Sequence, residues 1–315
     1  MRIYLAATAD LYDARVTCDV KHLLLSYMGA EARMPVAIKS AGSPDDWCLD
    51  SGAHFFLGAF YKKHEKLPLE KVEEHLHKLV AYVNGLEEVP RFVVELDLQD
   101  LYGMERIWQW RDEIWKPLER QTGSRVAYVW HPGDGEAEWK RLLDDPAVQY
   151  LGLATPRAFG SGQAARYVMQ AYEAGKPVHG FACVRERLLK AVPFYSVDST
   201  SWGAGSMFGL VTQFNMLRGT ICGKPAGKAL FRKDRNKAAA NLLANAHGKV
   251  RLSDMLNSNR GEGLSRSYQD AVRSYEEMEA FYSAYWRCRG VDWDKRLADR
   301  AYTPAARVTK SVQAR

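Results

Sequence analysis

Phe92-Val93-Val94-Glu95-Leu96-Asp97, the amphipathic stretch Tyr102–Gln121, and Arg125-Val126-Ala127-Tyr128-Val129-Trp130-His131 follow one another as strand, helix and strand. The flanks are short, β-branched and aromatic, as strands are. The middle repeats apolar residues at helical spacing, with Ile107, Ile114 and Leu118 on one face and Trp108 and Trp115 beside them as core packing. Two strands joined by a crossover helix lie parallel. The same rhythm continues outward. Upstream lie strands Arg2–Ala7 and Trp47–Asp50 and a helix over Leu69–Asn84, which places Val72, Leu76, Leu79, Val80 and Val83 together. Downstream lie strands Val148–Ala154, Pro177–Cys183 and Pro193–Asp198, with a helix over Gln163–Ala174. Seven strands are legible, and an eighth is expected near Gly219–Cys222 or Lys228–Phe231. The pattern predicts an α/β fold, a (β/α)8 TIM-like barrel, with a loop-rich, basic, helical C-terminal part.

Beyond Asp198 the rhythm fades into a glycine-punctuated stretch. The expected organisation is a barrel over residues 1–231, a basic helical part packed on it over 232–300, and a mobile basic tail over 301–315. Helices are predicted over Lys237–Ala246 and Tyr268–Arg287, the latter with Val272, Tyr275, Met278, Tyr282 and Tyr285 near one face.

The 315 residues are 47% hydrophobic, enough for a large core. No apolar run reaches the roughly 18 residues of a membrane span. Asp10 and Asp13 interrupt the N-terminal apolar run too early for a signal peptide, so a cytoplasmic location is expected, the host cytoplasm for a phage-encoded chain. Five scattered cysteines form no Cys-x-x-Cys pair and read as small buried residues. The first strand lacks a Gly-x-Gly-x-x-Gly after it, and no phosphate-binding Gly-x-x-x-x-Gly-Lys-Ser/Thr occurs. The net charge is +6, yet ten Lys/Arg face only two Asp between Arg218 and Arg260. Lys224, Lys228, Arg232, Lys233, Arg235 and Lys237 are the candidate phosphate contacts of that block; an ordinary solvated helix face is the other reading.

In such barrels chemistry sits at the C-terminal ends of the strands. Asp50, Asp97, His131, Asp198 and the Gly152-Leu153-Ala154 turn fall there. Alternation predicts shared faces for Cys48 with Asp50, Glu95 with Asp97, Val129 with His131, and Ser196 with Asp198. Two carboxylates beside a sugar carbon allow displacement at the anomeric centre, one attacking and the other shuttling the proton. A metal site is the competing use of such acids. His54, His131 and His179 are the nearby histidines and have no ligand spacing. Any single Asp of this kind also serves as a helix cap or turn former.

Four segments in this order resemble the tRNA-guanine transglycosylase superfamily, most closely its DNA-directed, DpdA-type branch in phages and bacteria. Leu49-Asp50-Ser51-Gly52-Ala53 is similar to the family's Asp-Ser-Gly-Gly motif. Glu95-Leu96-Asp97 resembles the strand whose Asp reads the guanine edge, and Leu151-Gly152-Leu153-Ala154 the turn that offers backbone groups to the base. Ser196-Val197-Asp198-Ser199-Thr200-Ser201-Trp202 resembles the nucleophile region. The likeness covers roughly Met1 to Phe231. It departs from the tRNA enzymes at His54-Phe55-Phe56, at Val129-Trp130-His131-Pro132-Gly133, in the loosely similar Pro177-Val178-His179-Gly180-Phe181-Ala182, and in lacking their Cys-x-Cys-x-x-Cys zinc motif.

The resemblance implies exchange of guanine in DNA for a 7-deazaguanine such as preQ0. Asp198 would be the nucleophile and Asp50 the general acid/base. Asp97, Ser51, His131, Gly152, Leu153, Ala154, Gly180 and Phe181 would hold the base, with Trp130, Phe181 or Trp202 stacking on it after flipping. The expected partners are DNA and the free base, with accessory proteins for duplex opening; no cofactor, metal or membrane is expected. A tRNA-guanine transglycosylase, a non-catalytic nucleic-acid-binding subunit of this fold, and a barrel glycosidase acting on free sugars stay open as alternatives.

Overall fold

A computed structural model of the chain describes residues 1–28, 31–63, 67–154, 160–203, 210–225 and 261–298. Eight strands close into a barrel in chain order: β1 (Arg2–Ala6), β2 (His22–Ser26), β3 (Asp46–Asp50), β4 (Phe92–Val94), β5 (Arg125–Trp130), β6 (Tyr150–Leu153), β7 (Val178–Gly180) and β8 (Ser196–Ser199). Every neighbouring pair is parallel, and β8 pairs with β1 so that Tyr4 stands beside Asp198. The fold is the expected (β/α)8 barrel.

The eighth strand is not where the sequence predicts it. It is β2, His22-Leu23-Leu24-Leu25-Ser26, inserted between the first two legible strands. A run of leucines favours no strand over helix by itself; burial between β1 and β3 makes it one. Gly219–Cys222 instead enters an antiparallel hairpin, β9 (Leu210–Asn215) with β10 (Thr220–Pro225), outside the barrel. Lys228–Phe231 and Lys237–Ala246 lie outside the described residues, as does the 301–315 tail.

The helices, numbered among the described residues, are α1 (Ala9–Tyr12), α2 (Met34–Ser40), α3 (Ala53–Lys63), α4 (Leu69–Asn84), α5 (Gln99–Trp110), α6 (Lys116–Thr122), α7 (Gly135–Asp144), α8 (Ser161–Glu173), α9 (Glu186–Ala191), α10 (Gly261–Arg287) and α11 (Trp293–Ala298). The predicted single helix over Tyr102–Gln121 is α5 and α6 joined by a π-turn, Arg111–Trp115. Pro117 stands just past that turn and has no N–H for a helical bond. The wider turn carries Arg111 inward, and Trp108 and Trp115 are buried as packing.

Packed rings fill the barrel axis. Phe92 lies 5.3 Å from Tyr4, 4.8 Å from Tyr150 and 5.3 Å from His179 between centroids. On the outside, α10 runs antiparallel to the strands along the β8–β1 seam. Tyr268 bonds Thr8 and Asp10 beyond the C-terminal end of β1, Tyr275 bonds Ser199 at the end of β8, and Ser283 bonds Met1 at the opposite end. Its buried face is Tyr268, Val272, Tyr275, Met278 and Tyr282. This is the place of the eighth covering helix.

Glu95 and Asp97 do not share a face. The β4 ladder stops at Val94, and Glu95 turns outward into a buried pair with Arg111, Nη2 to Oε1 2.6 Å. Glu95 Oε1 also accepts the Val129 N–H at 2.6 Å, so a side chain takes a bond the ladder would have used.

Candidate active site

Asp50 ends β3, and the chain leaves it through Ser51 and Gly52 into α3. Gly52 has φ +91°, and a Cβ there would stand 2.2 Å from Met28 Cγ, so only glycine fits the turn. Ser26, its register partner on β2, donates to Asp50 Oδ2 at 3.3 Å. Asp50 keeps some solvent contact through the barrel mouth while protein surrounds it. Burial, then the charge of Asp97, then that of Asp198 push its carboxyl up to about 6, against hydrogen bonds from Gly52 and Ser26 that pull it down. The three acids therefore act on one another at one end of the barrel. No group of three His, Cys, Asp or Glu side chains suited to holding a metal ion occurs among the described residues.

Asp97 Oδ2 lies 2.7 Å from His131 Nε2. Burial lowers the affinity of His131 for a proton, but the bond to Asp97 and the charges of Asp97, Asp134 and Asp100 outweigh it, and its pKa is raised. The His131 N–H donates to Asp134 Oδ2 at 2.7 Å, which fixes the loop carrying the ring. Asp97 thus presents one engaged and one other carboxylate oxygen, and His131 acts on it directly.

Asp198 lies on β8, 6% exposed. Its Oδ1 accepts the Ala182 N–H at 2.7 Å and faces His179 Nε2 at 3.3 Å. Ala182 has φ +52°. That left-handed backbone costs a residue with a Cβ roughly 1–2 kcal/mol, and here it directs a donor at the Asp198 carboxylate. Asp198 Oδ2 has no hydrogen-bond partner among the described residues.

Other expected site residues are placed differently. Trp130 is a correction: it is 1% exposed, packs on Trp139 and Tyr167 outside the barrel, and donates to Gly135 O. Trp202 is another, buried against Tyr268 with its N–H on Ala6 O at 2.7 Å. Neither ring can meet a base as it stands. Ser51 is fully buried and donates to Glu95 O, bracing two strand ends. Gly180 leaves room for Phe194, since a Cβ there would lie 2.7 Å from its ring. In the Gly152–Ala154 turn, Leu153 O accepts the Phe181 N–H and Ala154 N–H donates to Trp130 O, so these groups serve the sheet. Gly152 contributes a missing side chain: a Cβ would stand 2.7 Å from the Phe181 ring. Phe181 is half-buried, 4.9 Å from His179 between centroids. Lys224 lies in β10; Lys228, Arg232, Lys233, Arg235 and Lys237 lie outside the described residues. Cys18, Cys48 and Cys183 are buried as small residues, whereas Cys288 is exposed.

Sequence reasoning did not assign His179, Ser196, Ser26 or Phe55. Phe55 is 58% exposed in the first turn of α3, just after the Ser51-Gly52 link from Asp50. His179 and Ser196 are cross-strand partners, a relation that only the β7–β8 register reveals. No family model, curated protein or solved structure matches the chain.

Proposed function

We propose that this chain is a DNA-guanine transglycosylase that exchanges guanine in DNA for a 7-deazaguanine base such as preQ0. The observation that carries this reading is the pair Asp50 and Asp198 at one barrel mouth, in different environments. Asp198 has one oxygen anchored and the other unengaged among the described residues. Asp50 holds its proton up to about pH 6. The four resembling segments, and the basic stretch Arg218–Arg260, direct the reading toward nucleic acid.

In the first step Asp198 Oδ2 attacks C1′, the C1′–N9 bond breaks, and Asp50 protonates the departing guanine. In the second, the incoming base gives its N9 proton to Asp50, its N9 bonds C1′, and the electron pair of the ester bond returns to Asp198. Asp97 accepts from the guanine edge through the oxygen His131 leaves open, as a carboxylate suits an N–H donor. Phe181 and Phe55 offer rings for a flipped base.

Duplex DNA and labelled preQ0 test the reading. Label is expected to enter DNA with the native chain and not with Asp198→Ala. Label entering tRNA alone, or incorporation surviving Asp198→Ala, overturns it.

A further inference from the structure

His179 is fully buried on the barrel axis, and both its ring nitrogens are engaged. Nε2 faces Asp198 Oδ1 at 3.3 Å and Nδ1 faces Ser196 Oγ at 2.7 Å. Ser196 Oγ in turn lies 2.7 Å from Tyr150 OH. A carboxylate only accepts, so the Nε2 position carries the hydrogen toward Asp198. Nδ1 then accepts from Ser196, and Ser196 accepts from Tyr150. Burial pushes the Tyr150 phenol up, which keeps it a donor at the far end of the chain. Phe92, Tyr4 and Phe181 enclose the imidazole, so its orientation is fixed by packing as well.

Resting on the transglycosylase reading, we propose that His179 is the positioning residue of Asp198, held by Ser196 and Tyr150. Together with the Ala182 N–H it pins Oδ1 and leaves Oδ2 for C1′. The same two donors favour the free carboxylate over its ester. They slow formation of the glycosyl ester slightly and speed its breakdown, when the electron pair returns to Asp198 and the entering N9 takes C1′.

The test separates the two half-reactions. The full-length chain is mixed with duplex DNA without added base, the covalent protein–DNA adduct is quantified on a denaturing gel, and preQ0 is then added. His179→Leu is expected to resolve the adduct roughly 10²-fold more slowly than the native chain, with little change in KM for DNA. Ser196→Ala, one bond further from the carboxylate, shifts the same rate several-fold and keeps the test open should the leucine variant fail to fold. A folded His179→Leu that resolves adduct at the native rate overturns the inference. Absence of adduct with the native chain, or adduct with Asp198→Ala, instead overturns the transglycosylase reading. In that event ¹⁵N-histidine NMR decides the pairing: the Nε2–H tautomer, with shifts that move in Asp198→Ala, supports it, and the Nδ1–H tautomer or unmoved shifts refute it.

Discussion

At the residue scale, Asp50 is held in an environment that its folding stability would improve without. Its carboxyl titrates near 3.8 when unfolded and at about 6 in the folded chain. Between those values the unfolded chain has released the proton and the folded chain has not. Stability therefore falls as pH rises through that window, and the deficit persists above it. Asp50→Asn removes the titration. It is expected to raise stability at pH 7–8 by about 1–3 kcal/mol relative to the native chain, with the difference largely gone below pH 4, as read by denaturant unfolding. Under the proposed base exchange, Asp50→Asn is also expected to abolish proton transfer to guanine. In the native chain, adduct formation should decline as pH rises through about 6, measured by single-turnover kinetics. A flat profile across pH 5–8 would remove Asp50 as the acid. Asp50, Asp97 and Asp198 were legible as acids at strand ends because a strand's end is marked by local composition. His179 was not, because its two partners belong to another strand and depend on register. Glu95 was misread because alternation was carried past the residue where the ladder stops.

At the element scale, the β1–β2 seam is completed by a side chain from α10. The β1–β2 ladder pairs only Leu5 and Ala6 with Leu23 and Leu24. Below it, Glu279 Oε2 accepts the Ile3 N–H at 2.8 Å, and its other oxygen lies 3.4 Å from His22 Nε2. His22 Nδ1 faces Asp46 Oδ1 at 2.8 Å. Burial lowers the proton affinity of His22, but the bonds to Asp46 and Glu279 more than reverse this and raise it to about 9. The stabilisation is fully present below the ordinary pKa of 6.5 and is lost as pH rises through about 9. Glu279→Ala leaves Ile3 N–H without its acceptor and His22 with one carboxylate fewer. It is expected to cost about 2–3 kcal/mol at pH 7 by chemical denaturation, with a smaller penalty at pH 10. An unchanged midpoint at pH 7 would refute the role given to Glu279. The strand it supports is the one the sequence concealed. β2 has no β-branched residue and no Phe, Tyr or Trp, and only its neighbours on both sides make it a strand. The strands rich in valine, tyrosine and phenylalanine were legible at once, with ends that shifted by a few residues.

At the scale of the whole molecule, α10 shields the seam where the barrel closes, and the residues it covers include Trp202 and Phe214. A chain cut after Arg260 keeps all eight barrel strands but loses that cover. It is expected to be insoluble or to melt without cooperativity, as followed by circular dichroism. A cooperative transition within a few degrees of the full chain would show that residues 1–260 suffice. Strand–helix rhythm and composition, which change near residue 231, are local signals. That a helix thirty residues further on belongs to the barrel is a long-range fact, carried by the buried tyrosines of α10.

The bond from Ile3 to Glu279 spans 276 residues. A chain emerging from the ribosome releases β1 long before the side chain that satisfies it. Until then β1 has an unsealed flank, and every earlier element waits in an open, sticky arc. Sealing of that flank therefore waits for α10, and a nascent chain stalled before this helix is the form most in need of a chaperone.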